Sequence, residues 1–275
     1  MDTGKERYLD IKNSLMFVDV FANNHEVLKG LLQTLLKIDI DNITEVIGEN
    51  TLTNGINILN PRLDIYCESD NELIDIEMQI CNRGDLDKRM RFYQSCMDSS
   101  SLKRGSGSYN DLKECYVVFL CGFDPYDREQ TIYKIDRCIT NADKPIIIDS
   151  QDHWLLFDYT AWEKCPVDTG ATANLLKYIQ TGIPSDELTN DIDKIVRETN
   201  LDKKKVNQMI TVQEDMQYLY DAGIAKGEAR GIAKGEAKYA RLVDCLLADK
   251  RFDELSKISK DANLLNKLYE EYEIQ

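Results

Sequence analysis

The chain has 275 residues, of which 43% are hydrophobic and 30% charged, with a formal net charge of −15 at pH 7. This content suffices for a packed core, and no apolar run reaches the roughly 18–20 residues that span a bilayer. The acidity disfavours nonspecific attraction to polyanions, so any nucleic-acid site must be a local basic patch. We therefore expect a globular, cytoplasmic protein without a membrane segment. The eight scattered cysteines include no C-x-x-C pair, which favours reduced thiols over disulfides or a zinc site.

Helices and strands are predicted to alternate in the first part of the chain. Leucines recur every three or four residues in EVLKGLLQTLLKIDI, which predicts an amphipathic helix over 26–40 capped by Asn23 or Asn24. A strand or connector (ITEVIGENTLTN), two strands over 62–79, a helix over 85–102 and a flexible RGSGS segment follow. CYVVFLCGF predicts a buried strand over 115–123, and 144–150 and 154–162 supply one or two more. This order predicts a layered α/β or α+β domain over residues 1–165.

Beyond residue 165 the sequence becomes charged and helical, which predicts a helical region over 166–222 and a tail over 223–275. The repeat GIAKGEAR–GIAKGEAK spaces four glycines four residues apart: Gly223, Gly227, Gly231 and Gly235. One interpretation is a flexible linker, because each interior glycine costs a helix about 1 kcal/mol relative to alanine. The other is a helix on which the glycines, which have no side chains, form a stripe that allows a second helix backbone to approach closely. We expect self-association through residues 216–275, giving a homo-oligomer through the C-terminal helices.

Two strands in RLDIYCESDNELIDIEMQ, residues 62–79, carry acids that a hairpin can bring together. A turn centred on Asp70 and Asn71 gives a register in which Asp64 lies directly opposite Glu77. Opposed β-carbons are about 4.5–5.5 Å apart, and like charges there repel. Mg²⁺ or Mn²⁺ would remove this conflict, and Gln79, on the same face as Glu77, can donate a hydrogen bond to water or phosphate. The ordinary alternative is a half-buried hairpin whose polar face is solvated.

Local positive charge follows the hairpin. Between positions 81 and 104 there are six basic residues against three aspartates. Directly after paired acids, such a patch suits a site that attracts a phosphate backbone, although a charge run is usually a solvated helix face. Tyr93 and Gln94 lie further along the same helix. The candidates for binding DNA phosphates are Arg83, Lys88, Arg89 and Arg91.

The segment LDIYCESDNELIDIEMQ, followed by LDKRMRFYQSCMDSSSLKRGSGSYNDLKECYVVFLCGFDPYD, resembles the Rpn-like branch of the PD-(D/E)XK nuclease superfamily, often labelled nuclease-family transposases. The pattern covers residues 9–165, and the glycine-repeat tail is similar to this group as well. The resemblance implies a restriction-endonuclease-like α/β core, with a central mixed sheet flanked by helices and an α-helical C-terminal extension. It also implies metal-dependent endonuclease activity on DNA, associated with recombination or mobile elements.

Site residues carry over from this resemblance by position. Asp64 and Glu77 would hold Mg²⁺ or Mn²⁺, and Gln79 stands where the superfamily pattern has lysine. Losing that positive charge implies slow hydrolysis or a second metal. Glu26 is a candidate for the additional acid that some members contribute, and Tyr93 and Gln94 look like supporting polar residues.

Two functional classes are consistent with these observations. One is a metal-dependent DNA endonuclease that hydrolyses phosphodiester bonds. The other is a catalytically weak or inactive nuclease-fold module that oligomerises or binds partners within a mobile-element system. The joint presence of Asp64, Glu77 and Gln79 favours the enzyme.

Overall fold

A computed structural model describes residues 8–40, 42–51, 62–102, 108–165 and 170–274. The chain divides into two compact units, Met1–Met209 and Ile210–Gln275. The strands are β1 (Ile43–Thr51), β2 (Arg62–Ser69), β3 (Glu72–Gln79), β4 (Glu114–Cys121), β5 (Ile132–Ile135), β6 (Cys138–Ile139), β7 (Ile146–Ile147) and β8 (Asp152–Asp158). The helices are α1 (Ser14–Ala22), α2 (His25–Leu36), α3 (Leu86–Ser101), α4 (Gly170–Thr181), α5 (Glu187–Leu201), α6 (Lys203–Ala248), α7 (Phe252–Leu255) and α8 (Ala262–Glu271).

A six-stranded mixed sheet forms the centre of the first unit, in the order β1-β2-β3-β4-β8-β5. Strands β3, β4 and β8 are mutually parallel, while β1, β2 and β5 pair antiparallel with their neighbours. Strand β4 lies in the middle and is buried on both faces, as its continuous apolar sequence requires. The predicted mixed α/β architecture is confirmed.

Helices cover both faces of this sheet. The buried residues of α1, α2, α4 and α5 join one hydrophobic cluster with side chains from one face of the sheet, including Ile65, Ile76 and Val118. Helix α3 packs on the opposite face, where Met90 and Met97 join a second cluster with Val117 and Phe119. The alternation of Val117 and Val118 between the clusters follows from the two-residue period of a strand.

Several local predictions are refined. The leucine-rich helix is α2, which begins at His25 with Asn24 as its N-cap, and α1 precedes it. The strand expected over 144–150 is only the two-residue β7, which pairs with β6 outside the main sheet. Ile146 and Ile147 are exposed there and do not contribute to the core. The cysteines are free thiols, four of them buried. The RGSGS segment and the end of ITEVIGENTLTN lie outside the described residues.

The described residues 170–209 belong to the first unit. The expected boundary at residue 165 therefore falls inside this unit, because α4 and α5 bury Leu175, Leu176 and Ile192 in its core. In the described residues no helix is long and apolar enough to cross a membrane.

Helix α6 continues through the glycine repeat, so this segment is a helix rather than a flexible linker. The reason is local: alanine, glutamate and lysine between the glycines are strong helix formers, and the segment has no proline. The end of α6 packs with α7 and α8 around a small core of Leu242, Leu246, Ile258 and Leu268.

Candidate active site

The hairpin of β2 and β3 has the register that the Asp70–Asn71 turn predicts. Ile65 pairs with Ile76, and Tyr66 pairs with Asp75. Continuing this register by one residue places Asp64 opposite Glu77. There the backbone N–H of Asp64 donates to Glu77 Oε1 at 2.9 Å, and the backbone N–H of Met78 donates to Asp64 Oδ2 at 3.0 Å. Each carboxylate is therefore held by the opposite strand.

The polar face of β3 is not solvated, contrary to the expectation for a simple hairpin. Asp75, Glu77 and Gln79 are all buried. Helix α3 covers this face and buries Met90 and Tyr93 against it. The amphipathic pattern of the strand does not reveal this burial, because the covering helix lies later in the chain.

Arg89 on α3 reaches directly to the two polar side chains at the end of β3. Its Nη2 lies 3.1 Å from Glu77 Oε2, and its Nη1 donates to Gln79 Oε1 at 2.5 Å. The guanidinium also contacts the Tyr93 hydroxyl, at 3.3 Å from Nε and 3.1 Å from Nη2. Its carbon Cζ lies 5.4 Å from the Tyr93 ring centre and 5.2 Å from that of Phe119, within cation–π range.

These contacts fix the orientation of the Gln79 amide. A guanidinium only donates, so the oxygen of Gln79 must face Arg89. The amide nitrogen donates to the carbonyl of Cys81 at 2.6 Å. Both ends of the amide are thus engaged within the protein. The side-chain donor that contacts Glu77 is the guanidinium of Arg89, whereas the sequence predicts Gln79 as the polar donor of the site, to water or phosphate.

Electrostatics at the site follow from burial and crowding. Burial of the carboxyl and the nearby charge of Asp64 raise the pKa of Glu77 to about 8, although Arg89 and the Asp64 backbone N–H act in the opposite direction. Burial likewise raises the pKa of Tyr93 to about 12, with Glu77 contributing. Burial acts to lower the pKa of Arg89, but Tyr93 and Glu77 outweigh it, so this side chain stays charged. A cation near Asp64 and Glu77 would stabilise both carboxylates.

Asp75 is a third acid on the same face, which the sequence analysis did not assign to the site. Its side chain is fully buried, and neither carboxylate oxygen has a hydrogen-bond partner among the described residues. Burial, then Glu77 and Asp64, raise the pKa of Asp75 well above its usual range. An unpartnered buried carboxylate is costly in its charged form, so burial favours the neutral form of Asp75.

We expect Asp75→Asn to stabilise the protein increasingly as pH rises. Because the folded-state pKa of Asp75 is raised, the contribution of this side chain to stability is most favourable below its unfolded pKa near 3.8 and is lost as pH rises towards the folded value. Each pH unit in that window lowers the free energy of unfolding of wild type by up to about 1.4 kcal/mol, whereas asparagine does not titrate. Urea denaturation at pH 4.5 and pH 8 measures the difference.

Asp111→Asn, which changes an exposed acid, is the matched control and should shift stability little at either pH. Equal destabilisation of Asp75→Asn at both pH values would contradict a raised pKa for Asp75.

The other predicted residues are distributed around this centre. Tyr93 contacts Arg89, but Gln94 points elsewhere, since its Oε1 accepts from Trp154 Nε1 at 2.7 Å. Glu26 is exposed in the first turn of α2, a helix that packs with the cluster on the opposite face of the sheet. No contact between described residues joins Glu26 to the site. Arg83, Lys88 and Arg91 are exposed, whereas Arg89 turns inward.

The donor chemistry at this centre fits a hard divalent cation. No described group of three or more His, Cys, Asp or Glu residues is arranged to hold a metal ion. Mg²⁺, however, is commonly bound by one or two carboxylates with water and substrate phosphate completing its shell. Asp64 and Glu77 supply two such carboxylates. Burial, followed by the charge of Asp64, raises the pKa of Glu77, and a bound cation would favour its charged form.

A sequence signal for Arg89 exists in retrospect. Arg89 and Tyr93 are four residues apart, so they share a helix face, and that face meets β3. For Asp75 the signal is its two-residue spacing from Glu77, which places both on one side of the strand. Neither spacing predicts that a helix covers the polar face of β3.

Comparison with known proteins is consistent with this geometry. A family model described as PD-(D/E)XK nuclease family transposase matches residues 12–157. No curated protein and no solved structure matches. The matched region spans more than half of the chain and contains the hairpin, α3 and the central strands. The chain therefore belongs to the PD-(D/E)XK nuclease family transposases.

Proposed function

We propose that this protein is a metal-dependent DNA endonuclease that hydrolyses phosphodiester bonds and is associated with recombination or mobile elements. The observation that carries the proposal is that both carboxylates accept backbone N–H groups across the hairpin, Glu77 from Asp64 and Asp64 from Met78, which holds the two acids at one centre. Membership of the nuclease family supports the same reaction. A cytoplasmic location is part of this proposal.

In this proposal the chain's residues have distinct roles. Asp64 and Glu77 would hold Mg²⁺ or Mn²⁺, which supplies Lewis-acid activation of water and phosphate when bound. Arg89 provides the positive charge that β3 lacks with glutamine at position 79. Gln79 and Tyr93 orient the Arg89 guanidinium through the contacts described above. Lys88 and Arg91, exposed on α3, are candidates for binding DNA phosphates, as is Arg83.

Plasmid cleavage by the purified full chain tests the proposal. Nicking is expected with Mg²⁺ or Mn²⁺ and not with EDTA, and Asp64→Ala and Glu77→Ala should abolish it. Absence of cleavage with every divalent metal would contradict the enzyme. Equal cleavage by both variants would contradict this assignment of the site.

The second candidate function is an oligomerisation or partner-binding module with weak or no catalysis. The exposed glycine stripe on α6 favours it: a β-carbon added at Gly223, Gly227, Gly231 or Gly235 meets nothing within 4 Å in the described chain. Such a stripe lets a second helix approach closely. Both functions are compatible with a homo-oligomer formed through the C-terminal helices.

Gly227→Leu and Gly231→Leu are expected to weaken self-association without disturbing the monomer. Leucine favours helix over glycine by roughly 1 kcal/mol, and its β-carbon meets no neighbour in the single chain. Light scattering of the full chain over a concentration series measures the change, with Ala229→Leu on the opposite side of α6 as control. Truncation after Asp215 should remove association altogether. An unchanged oligomer in the truncated chain would contradict the tail as the interface.

A further inference from the structure

One end of the sheet face that α3 covers carries an open groove of about 730 Å³. The groove runs along edge strand β5 and its neighbour β8, beyond the part of the sheet that α3 buries. Tyr126, Tyr133 and Trp154 line it, together with the side chains of Arg128 and Lys134. We call this feature the aromatic groove. Three large rings at a partly open surface provide a face for planar ligands.

The polar atoms of these rings are engaged within the protein. The Tyr126 hydroxyl donates to Asp87 Oδ1 at 2.7 Å, and the Tyr133 hydroxyl donates to Asp124. The Trp154 indole N–H donates to Gln94, as described above. The two tyrosine rings meet edge to face, with centres 5.2 Å apart. The rings are thus held in place, and what they offer a ligand is their apolar faces.

Charge around the aromatic groove favours an anionic ligand. The charged residues that line the groove are the two cations Arg128 and Lys134 and one acid, Asp87, which accepts the Tyr126 hydroxyl. By contrast, the exposed side chains of Arg128 and Lys134 form no ion pair with any residue that the structure describes. Two cations beside three aromatic rings are complementary to a ligand that combines phosphate with a planar base.

We propose that the aromatic groove binds the nucleobases of single-stranded DNA, with Arg128 and Lys134 binding its phosphates. Stacking on aromatic side chains is the usual mode of sequence-tolerant single-strand binding, and a duplex hides its base faces. Helix α3 links the groove to the candidate active site, since Asp87 lines the groove and Arg89 binds Glu77. This inference rests on the proposed function in taking DNA as the substrate.

Tryptophan fluorescence of the full chain in EDTA tests the proposal without cleavage. The chain has two tryptophans, so Trp162→Phe leaves Trp154 as the sole indole. Saturable quenching by oligo(dT) is expected in this variant, with little quenching by a duplex of equal length. Free dTMP should bind more weakly than the strand, because it lacks the further phosphates that Arg128 and Lys134 bind. Equal affinity for dTMP and oligo(dT), or an absence of quenching, would overturn the proposal.

Surface variants separate stacking from folding. Tyr126→Ala and Lys134→Glu are each expected to weaken oligo(dT) binding about tenfold, measured by anisotropy of labelled oligo(dT). Tyr109→Ala, which removes an exposed ring elsewhere, is the control and should bind as wild type. Wild-type affinity for oligo(dT) in both groove variants would overturn the proposal.

Failure of the groove proposal can be distinguished from failure of the proposed endonuclease function. Asp64→Ala should retain Trp154 quenching although it does not cleave. Quenching without any metal-dependent cleavage would support DNA binding in the aromatic groove and refute the endonuclease. Cleavage by wild type, with unaltered binding in Tyr126→Ala and Lys134→Glu, would refute the groove alone.

Discussion

Asp64→Ala and Glu77→Ala are each expected to lower the single-turnover rate of DNA cleavage by at least about a thousandfold, because metal-assisted charge stabilisation supplies several kcal/mol. Each carboxylate accepts a backbone N–H from the opposite strand, Glu77 from Asp64 and Asp64 from Met78, so either alanine variant removes one carboxylate and leaves the backbone donor of the other in place. Cleavage of a labelled duplex with saturating Mn²⁺ measures the rate.

Glu26→Ala is the control for this prediction. Its carboxylate is exposed on α2, and no described contact links it to the hairpin. We expect wild-type cleavage from this variant, with the helix retained. A thousandfold loss in Glu26→Ala would show that the additional acid implied by the resemblance acts at the site. Rates within tenfold of wild type in both hairpin variants would contradict the site itself.

Arg89→Met is expected to tighten Mn²⁺ binding while slowing cleavage. The guanidinium lies 3.1 Å from Glu77, where its positive charge opposes an arriving cation, so its removal should tighten metal binding at least about tenfold. In the proposed reaction the same removal takes away the positive charge beside Glu77, and we expect a loss of about a hundredfold in rate. Calorimetric titration with Mn²⁺ and single-turnover cleavage at saturating Mn²⁺ measure the two effects separately.

These opposite changes distinguish a role in the reaction from a structural one. A purely structural Arg89 would, when replaced, loosen the site and weaken both metal binding and cleavage. Arg91→Met is the matched control, because Arg91 is an exposed arginine on the same helix. We expect Arg91→Met to leave Mn²⁺ affinity unchanged and to alter only salt-dependent DNA binding. Weaker Mn²⁺ binding by Arg89→Met would refute the proposed role.

The hairpin was predictable from sequence because its determinants are local. Strand alternation fixes which side chains share a face, and a two-residue turn at Asp70 and Asn71 fixes the register. From these two facts alone Asp64 is expected opposite Glu77, and the observed pairing of Ile65 with Ile76 has that register. The continuous apolar run of β4 similarly predicted a central strand, because only burial on both faces accommodates it.

The sequence was weaker where an element's surroundings decide its role. The basic residues of α3 lie close together in the chain, so the sequence predicts a single phosphate-binding patch. In the fold Arg89 turns inward to Glu77, while Lys88 and Arg91 remain exposed. The sequence also gave no reason to separate Tyr93 from Gln94, which the helix directs to Arg89 and Trp154 respectively.

By itself, then, the sequence determined the mixed α/β class and the paired acids of the hairpin, since each depends on periodicity or turn geometry within a short segment. The sequence left the glycine repeat open between a helix and a flexible linker, and the structure shows the helix. Only the tertiary structure decided that the polar face of β3 is buried, that the Arg89 guanidinium contacts Glu77, and that the Asp75 carboxylate has no hydrogen-bond partner among the described residues. The physical reason is that these three features arise from the docking of α3 on the sheet. Docking depends on side-chain packing between separate elements, which the periodicity within one segment does not encode.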